Sequence, residues 1–166
     1  MCNKIASTSA DNSGKTSDST THTTQQNDAN TTDKKSDGKM EGSGTLADKY
    51  DVKITGAKTC KDYEGNPAIL ISYTWTNNSD ETTSPMGSLM EEAFQDRKQL
   101  DPAICDFEMQ DSSKEARPGT TLEVETAYSM PSTSKVEFEL SAIEEAFEST
   151  VPMVTQDFDP TQLEAK

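Results

Sequence analysis

After residue 45 the chain consists of short runs in which apolar and polar positions alternate, a pattern with a period of two that predicts β-strands. Residues 68–77, AILISYTWTN, are rich in β-branched and aromatic side chains, so they predict a central strand with Trp75 as its core anchor. The clearest alternating runs are those at 50–55, 122–128 and 136–140.

Two weaker segments, 98–109 around Pro102 and 149–158, predict further short strands. Residues 88–96, SLMEEAFQD, predict one or two helical turns instead, because their apolar residues are spaced as on one face of a helix. The whole pattern gives about seven strands and no strongly amphipathic helix. It therefore predicts an all-β, immunoglobulin-like antiparallel β-sandwich.

Residues 1–45 have a different composition, dominated by Ser, Thr, Asp, Asn, Gly and Lys. All ten aromatic residues lie between Tyr50 and Phe158. A segment with so few apolar side chains cannot bury enough surface to offset the loss of chain entropy on folding. We therefore expect a disordered tether over residues 1–45 and a β-sandwich domain over residues 46–166.

The net charge of −15 falls almost entirely on the predicted domain, since residues 1–45 hold five Lys and six acidic residues. Nucleic acid binds proteins mainly through Lys and Arg, so we expect no nucleic-acid partner. The acidic surface either keeps the domain soluble or attracts a cationic partner or Ca²⁺.

Catalytic patterns are scarce. The single histidine, His22, lies in the predicted tether, which argues against a Ser-His-Asp or Cys-His mechanism in the domain. There is no phosphate-binding glycine loop and no CxxC pair, and the carboxylate pairs Glu91–Glu92 and Glu144–Glu145 are expected by chance in so acidic a chain. We expect a non-enzymatic protein that needs no cofactor.

Calcium has weak candidate ligands and no complete binding loop. The candidates are Asp157, Asp159, Asp106 and Glu108. The more economical interpretation is that these side chains are solvated surface residues, so no metal site is assigned.

Cys60 and Cys105 both lie in the predicted domain, and a disulfide between them is possible. Export would favour the bond, whereas the unknown strand register leaves it open whether the two residues meet.

Three segments of the chain resemble a known family. They are WTNNSDETTSP, AFQDRKQLD and RPGTTLEVETAYSMPSTSKVEFEL, with Asn77-Asn78, Gln95 followed by Leu100, Pro118-Gly119 and Pro131 as the matching features. The chain thereby resembles the immunoglobulin-like, telokin-like domain family of unknown function found in Gram-positive surface lipoproteins. The resemblance implies a β-sandwich and no catalytic residue. Arg97 departs from it, because family members often have Gly there.

Cys2 is either an incidental second residue or the lipid-bearing first residue of a mature lipoprotein. A cysteine followed by small polar residues, a long tether and a compact domain is the lipoprotein arrangement, and the resemblance favours it. We expect a lipid anchor on Cys2, a signal peptide in the precursor that ends just before it, and Met1 as an added initiator. The chain itself has no apolar run long enough to span a membrane or to serve as a signal peptide.

The sequence therefore predicts a non-enzymatic lipoprotein, monomeric and lipid-anchored on the extracellular face of the bacterial cell membrane. Its β-sandwich would bind an unknown protein or ligand in the envelope or outside it, with the loops at 77–87 and 111–119 as candidate contacts. The alternative is a Ca²⁺- or small-ligand-binding accessory module for a transporter or the cell wall.

Overall fold

The computed structural model describes residues 38–106 and 111–166. Within these residues there are nine strands and one short α-helix. In chain order they are β1 (Lys39–Glu41), β2 (Ser43–Leu46), β3 (Tyr50–Lys61), β4 (Pro67–Asn77), α1 (Pro85–Ser88), β5 (Leu89–Gln95), β6 (Lys98–Gln99), β7 (Thr121–Ser129), β8 (Val136–Ala142) and β9 (Met153–Phe158). Single turns of 3₁₀ helix occupy Ile143–Glu145 and Pro160–Gln162.

The strands described here form two sheets, one in the order β1-β9-β8-β5-β6 and the other in the order β2-β3-β4-β7. All pairs are antiparallel except β1 with β9. Inward side chains of both sheets fill one shared core. The predicted β-sandwich is confirmed. Strands β1, β2 and β5 were not predicted as strands, and the described part of the segment predicted over 98–109 contributes only β6.

Trp75 lies at the centre of this core with no solvent exposure, as its place in the central strand predicted. Its ring stacks on Tyr50 at 5.8 Å between centroids. The rings of Tyr73 and Tyr128 contact Phe138 of the opposite sheet, with 6.4 and 6.1 Å between ring centroids. Aromatic contacts of this kind add to the large apolar area that each ring buries.

Strand β4 is covered on both faces in its first half. Ile69 and Ile71 belong to the inner core, whereas Ala68 and Leu70 point outward and are equally buried. Their cover is residues 101–106, which run along the edge of β7 and then cross the outer face of the sheet. The Ser129 amide donates to the Asp101 carbonyl at 2.8 Å along that edge, and the Ala103 amide donates to the Ala127 carbonyl at 2.9 Å.

Strands β1 and β2 fall inside the segment predicted as a tether, so the sandwich begins before residue 46. Gly42 adopts a φ of 71° between them and redirects the chain from one sheet to the other. Met40 packs against the core and fills the space in front of Gly44, where a Cβ atom would collide with its sulfur. Composition missed these strands because Met40 and Leu46 are their only large apolar residues.

The helix predicted for residues 88–96 is wrong over most of its length. Helical geometry ends at Ser88, and residues 89–95 form β5. Leu89 and Ala93 face the core, but the position between them on the same face is held by Glu91. Because Glu91 is polar at an inward position, the segment lacks the alternation of apolar and polar residues that predicts a strand. Its remaining apolar residues are spaced as in a helix.

The turn between β5 and β6 explains the departure at Arg97. Gln95 pairs with Lys98, which leaves Asp96 and Arg97 as a two-residue loop with φ values of 53° and 64°. Two positive φ values are the geometry of a type I′ hairpin turn, for which Gly is the preferred second residue. Arg97 occupies the place of that glycine without changing the fold.

Two buried amides from the family-like segments fasten loops to the sandwich. Asn77 has no solvent exposure, and its Nδ2 donates to the carbonyls of Glu81 and Ala116 at 2.8 and 2.9 Å. Gln95 is 3% exposed, and its Nε2 donates to the Ser134 carbonyl at 2.6 Å. The sequence signal for these residues is therefore structural.

Replacing Asn77 with Ala removes the two hydrogen bonds that its Nδ2 donates to the Glu81 and Ala116 carbonyls and the two that its Oδ1 accepts from the Ser79 amide and hydroxyl. We expect a loss of about 2–4 kcal/mol in the free energy of unfolding. Asn78→Ala is the matched control, because the Asn78 amide donates only to an exposed Asp51 carboxylate. Its loss should stay below about 1 kcal/mol. Urea unfolding followed by the fluorescence of Trp75 measures the stability of both variants. Equal losses would contradict a stabilising role for the buried Asn77 side chain.

Candidate functional site

The outer surface of the five-stranded sheet carries a group of acidic side chains. Because Val136, Phe138 and Leu140 of β8 face the core, the residues between them face outward, and the same holds along β1, β5 and β9. We call the resulting set the acidic face: Glu41, Glu92, Glu137, Glu139 and Asp157.

Strand register places carboxylates of the acidic face directly opposite one another. Glu92 pairs with Glu139, and Glu137 pairs with Asp157. Like charges at directly opposed positions destabilise a sheet. The packing of the core beneath must therefore offset a repulsion that neutral side chains would avoid.

Two lysines compensate part of this charge. Lys39 Nζ lies 3.0 Å from a Glu139 carboxylate oxygen, and Lys135 Nζ lies 2.7 Å from Asp157. The hydrogen bond with Glu139 raises the pKa of Lys39 above its ordinary value, and the charges of Glu139 and Glu137 add to that effect. With five carboxylates and two lysines, the acidic face keeps a negative charge.

Apolar side chains border the acidic face. Met90 is 40% exposed and shares a row across the sheet with Ser141 and Met153. Phe94 lies on the same side of β5, beside Glu137. The surface thus offers carboxylates together with exposed apolar contact area.

A separate cleft opens between β5 of one sheet and β7 of the other, with a volume of about 320 Å³. Its lining comprises Met86, Leu89, Glu91, Pro102, Ser112, Glu125, Thr126 and Tyr128. Glu91 enters from the inward face of β5 and accepts a hydrogen bond of 2.5 Å from the Tyr73 hydroxyl. The cleft therefore combines an inward carboxylate with walls that are about as polar as they are apolar, an arrangement suited to a small ligand that carries hydrogen-bond donors.

The two tyrosines beside Glu91 stay protonated. Burial raises the pKa of Tyr73 far above its ordinary range, and the negative charge of Glu91 raises it further. Burial and the same charge also raise the pKa of Tyr128. Both phenols are thus neutral hydrogen-bonding groups at physiological pH.

The predicted calcium candidates have separate roles in the structure. Asp157 pairs with Lys135, and Asp159 accepts hydrogen bonds from the Thr161 hydroxyl and amide at 2.7 and 2.9 Å, which lower its pKa. Asp106 accepts a hydrogen bond from Lys166 through its backbone carbonyl, and Glu108 lies outside the described residues. Across 38–106 and 111–166, no group of three or more His, Cys, Asp or Glu could hold a metal ion.

The adjacent carboxylate pairs do not share sites. Glu91 and Glu92 point to opposite sides of β5. Glu144 bonds Lys49 at 2.8 Å, while Glu145 accepts the Ala47 amide at 3.1 Å. Neither pair converges on a common point, which is what paired acid–base chemistry requires.

The remaining predicted residues divide into three groups. Cys60 and Cys105 are free thiols on the outer side of the four-stranded sheet.

The candidate loops at 77–87 and 111–119 are held together, since the Thr83 and Ala116 backbones pair and the Met86 amide donates to the Ser112 carbonyl. Cys2 and His22 lie outside the described residues.

Residues 21–142 match a protein family described as a domain of unknown function, DUF5067, and the chain belongs to that family. The match ends with β8. A comparison with curated proteins finds no match.

Three solved structures with the same fold come from Gram-positive bacteria. A candidate lipoprotein from Staphylococcus aureus is 15% identical with a TM-score of 0.56, over 72% of this chain and 89% of that one. A candidate lipoprotein from Bacillus subtilis is 13% identical with a TM-score of 0.54, over 74% of this chain and 39% of that one. An uncharacterised β-sandwich protein from Clostridium difficile is 14% identical with a TM-score of 0.52, over 74% and 95%.

These comparisons support the resemblance in its coarser form, a domain of unknown function on a β-sandwich. Identities this low establish the fold only. In the described part of the chain, no helix has the length and apolar character needed to cross a bilayer.

Sequence reasoning did not find the acidic face or the Glu91 cleft. The alternation around Glu137 and Glu139 predicted a strand, but the partner opposite each carboxylate depends on long-range register. Because the sequence pattern placed Glu91 in a helix, it did not predict that the Glu91 side chain faces the core. The usable signal was an acidic residue where a strand pattern requires an apolar one.

The raised pKa of Tyr73 predicts that stability falls in alkaline solution. Above pH of about 10 the unfolded chain ionises this tyrosine while the folded protein keeps it protonated, so unfolding is favoured by about 1.4 kcal/mol per pH unit. Tyr73→Phe should remove that share of the pH dependence. At neutral pH it should cost about 1–3 kcal/mol through the lost bond to Glu91.

Urea unfolding between pH 8 and 11 measures both effects. Tyr63→Phe serves as the control, because Tyr63 is 77% exposed in the folded protein. A Tyr73→Phe variant whose stability falls with pH as steeply as that of the parent would contradict the assignment.

Proposed function

We propose that this protein is a non-enzymatic lipoprotein held on the extracellular face of the bacterial membrane by a lipid on Cys2. Its β-sandwich binds a partner in the envelope or outside it. Support comes from the cysteine followed by a polar stretch and from the similarity of the fold to two candidate lipoproteins. We also assign the sandwich to the immunoglobulin-like type, as the family-like segments imply.

The acidic face is the proposed binding surface, and the observation that carries the proposal is the register that opposes Glu92 to Glu139 and Glu137 to Asp157. Lys39 and Lys135 each neutralise one carboxylate of an opposed pair, and a cationic partner that binds here neutralises the other, so the remaining repulsion favours association. Met90 and Phe94 supply apolar contact beside the charges. The partner is therefore a basic protein segment, and not nucleic acid.

The anchor is tested by expressing the gene with its own leader in a Gram-positive host. We expect the protein in the membrane fraction, with an N-terminal peptide whose mass includes a diacylglyceryl group on Cys2. Cys2→Ser should move it to the culture medium, because stable attachment requires the two acyl chains. Membrane retention of Cys2→Ser would contradict the assignment.

Binding by the acidic face is tested with a decalysine peptide as the probe. Glu92→Gln with Glu137→Gln should weaken salt-sensitive binding by about tenfold, because each removes one charge of an opposed pair. The same change should raise the free energy of unfolding by about 0.5–1 kcal/mol.

Glu123→Gln with Glu164→Gln is the matched control, since it removes the same charge outside the acidic face. It should change neither property by a comparable amount. Equal weakening by both pairs would show that binding depends on net charge alone and would overturn the assignment to this face.

The second candidate function is a small-ligand-binding accessory module for a transporter or the cell wall. The Glu91 cleft is the observation that favours it, because an inward carboxylate within a cleft of about 320 Å³ matches a compact ligand with an amino group. Calorimetry with small amines and with Ca²⁺ distinguishes this function. Saturable binding that Glu91→Gln abolishes would favour the module over the protein-binding surface.

A further inference from the structure

Two cysteines far apart in sequence meet on the outer face of the four-stranded sheet. Cys60 lies near the end of β3, opposite Ala68 of β4. Cys105 lies in the segment that covers β4, and it is 7% exposed in a small apolar cluster with Leu70 and Ala127. Cys60 packs against this cluster, which brings its thiol next to that of Cys105.

The backbone on either side of the two thiols is held in place. The Tyr63 amide, in the turn after β3, donates to the Ile104 carbonyl at 3.2 Å. The Thr59 carbonyl accepts the Lys166 amide at 2.9 Å, and Lys166 Nζ also donates to the Asp106 carbonyl. Hydrogen bonds therefore hold the segments around the two cysteines against each other, which keeps the thiols together.

We propose that Cys60 and Cys105 form an intramolecular disulfide that fastens residues 101–106 to β3. A small-molecule or protein disulfide is the oxidant. The Cys60 thiol loses its proton and attacks one sulfur of the oxidant, which releases one thiol and leaves a mixed disulfide. The Cys105 sulfur, after losing its proton, attacks the Cys60 sulfur and releases the second thiol, so two protein thiols are oxidised while one disulfide is reduced to two thiols.

The site provides access for the first step. Cys60 is the less buried of the two cysteines, and it opens onto a hollow of about 260 Å³ lined also by Thr59, Lys61, Ala165 and Lys166. A small disulfide such as oxidised glutathione reaches the sulfur from this side. Cys105 is shielded from it, so it acts as the resolving thiol.

The electrostatics favour a lasting cross-link over a redox-active pair. Burial raises the pKa of Cys60 to about 12, and the neighbouring Cys105 thiol contributes to the rise. Redox-catalytic cysteines have a lowered pKa that keeps them as thiolates, which is the opposite situation. The reduced pair is therefore slow to react, and the bond once formed closes a loop over residues 61–104 that constrains the unfolded chain.

The test uses the full chain with Cys2→Ser, so that only these two thiols remain. After incubation with reduced and oxidised glutathione at pH 8, peptide mapping without reductant should find the Cys60 and Cys105 peptides joined, with two hydrogens lost. Adding reductant should then lower the melting temperature by roughly 5–15 °C.

Cys60→Ser and Cys105→Ser in the same background are the controls. Each should give no joined peptide and a melting temperature that reductant does not change. Two thiols that remain free to alkylation after oxidation, disulfides between separate chains, or a joined pair whose reduction leaves the melting temperature unchanged would each overturn the proposal.

Discussion

Strand β4 carries apolar side chains on both of its faces in its first half, and both faces have to be removed from water. Its inner face is covered by the opposite sheet, through Trp75, Tyr73 and the two isoleucines. A sandwich has no second layer for the outer face, so the chain supplies residues 101–106 for that purpose. The edge pairing with β7, the contact with the turn after β3 and the meeting of the two cysteines all follow from this requirement.

In the described part of the chain, the outer faces of the two sheets differ in charge because a segment covers the four-stranded sheet and none covers the five-stranded one. Within residues 38–106 and 111–166, no segment covers the outer face of the five-stranded sheet, and its register sets carboxylates opposite one another. Burial of Val136, Phe138 and Leu140 directly beneath provides the stability that tolerates this repulsion. These opposed pairs add nothing to the stability of the free sheet, which supports the proposal that the acidic face binds a partner.

Alternating patterns predicted the strands that contribute most to the core, because inward and outward environments differ strongly at β3, β4, β7 and β8. Prediction failed where one residue departed from its environment. Glu91 faces inward and bonds Tyr73, so β5 lacks the alternating pattern of a strand. Met40 is the only large apolar residue of β1, too few for a pattern to predict that strand. The candidate sites depend on pairings across the fold, between Glu137 and Asp157 or Cys60 and Cys105, and no local pattern encodes them.

The crossing at Gly42 has a mechanical consequence. Among the described strands, β1 is the first to receive a pull from the N-terminal side, and it lies parallel to β9. A force directed along the strand loads those hydrogen bonds together in shear, and they resist it jointly instead of opening one after another. Since β2 follows at once in the other sheet, the load passes to both layers of the sandwich. The first nine described residues, 38–46, thus distribute tension over both sheets before it reaches the core.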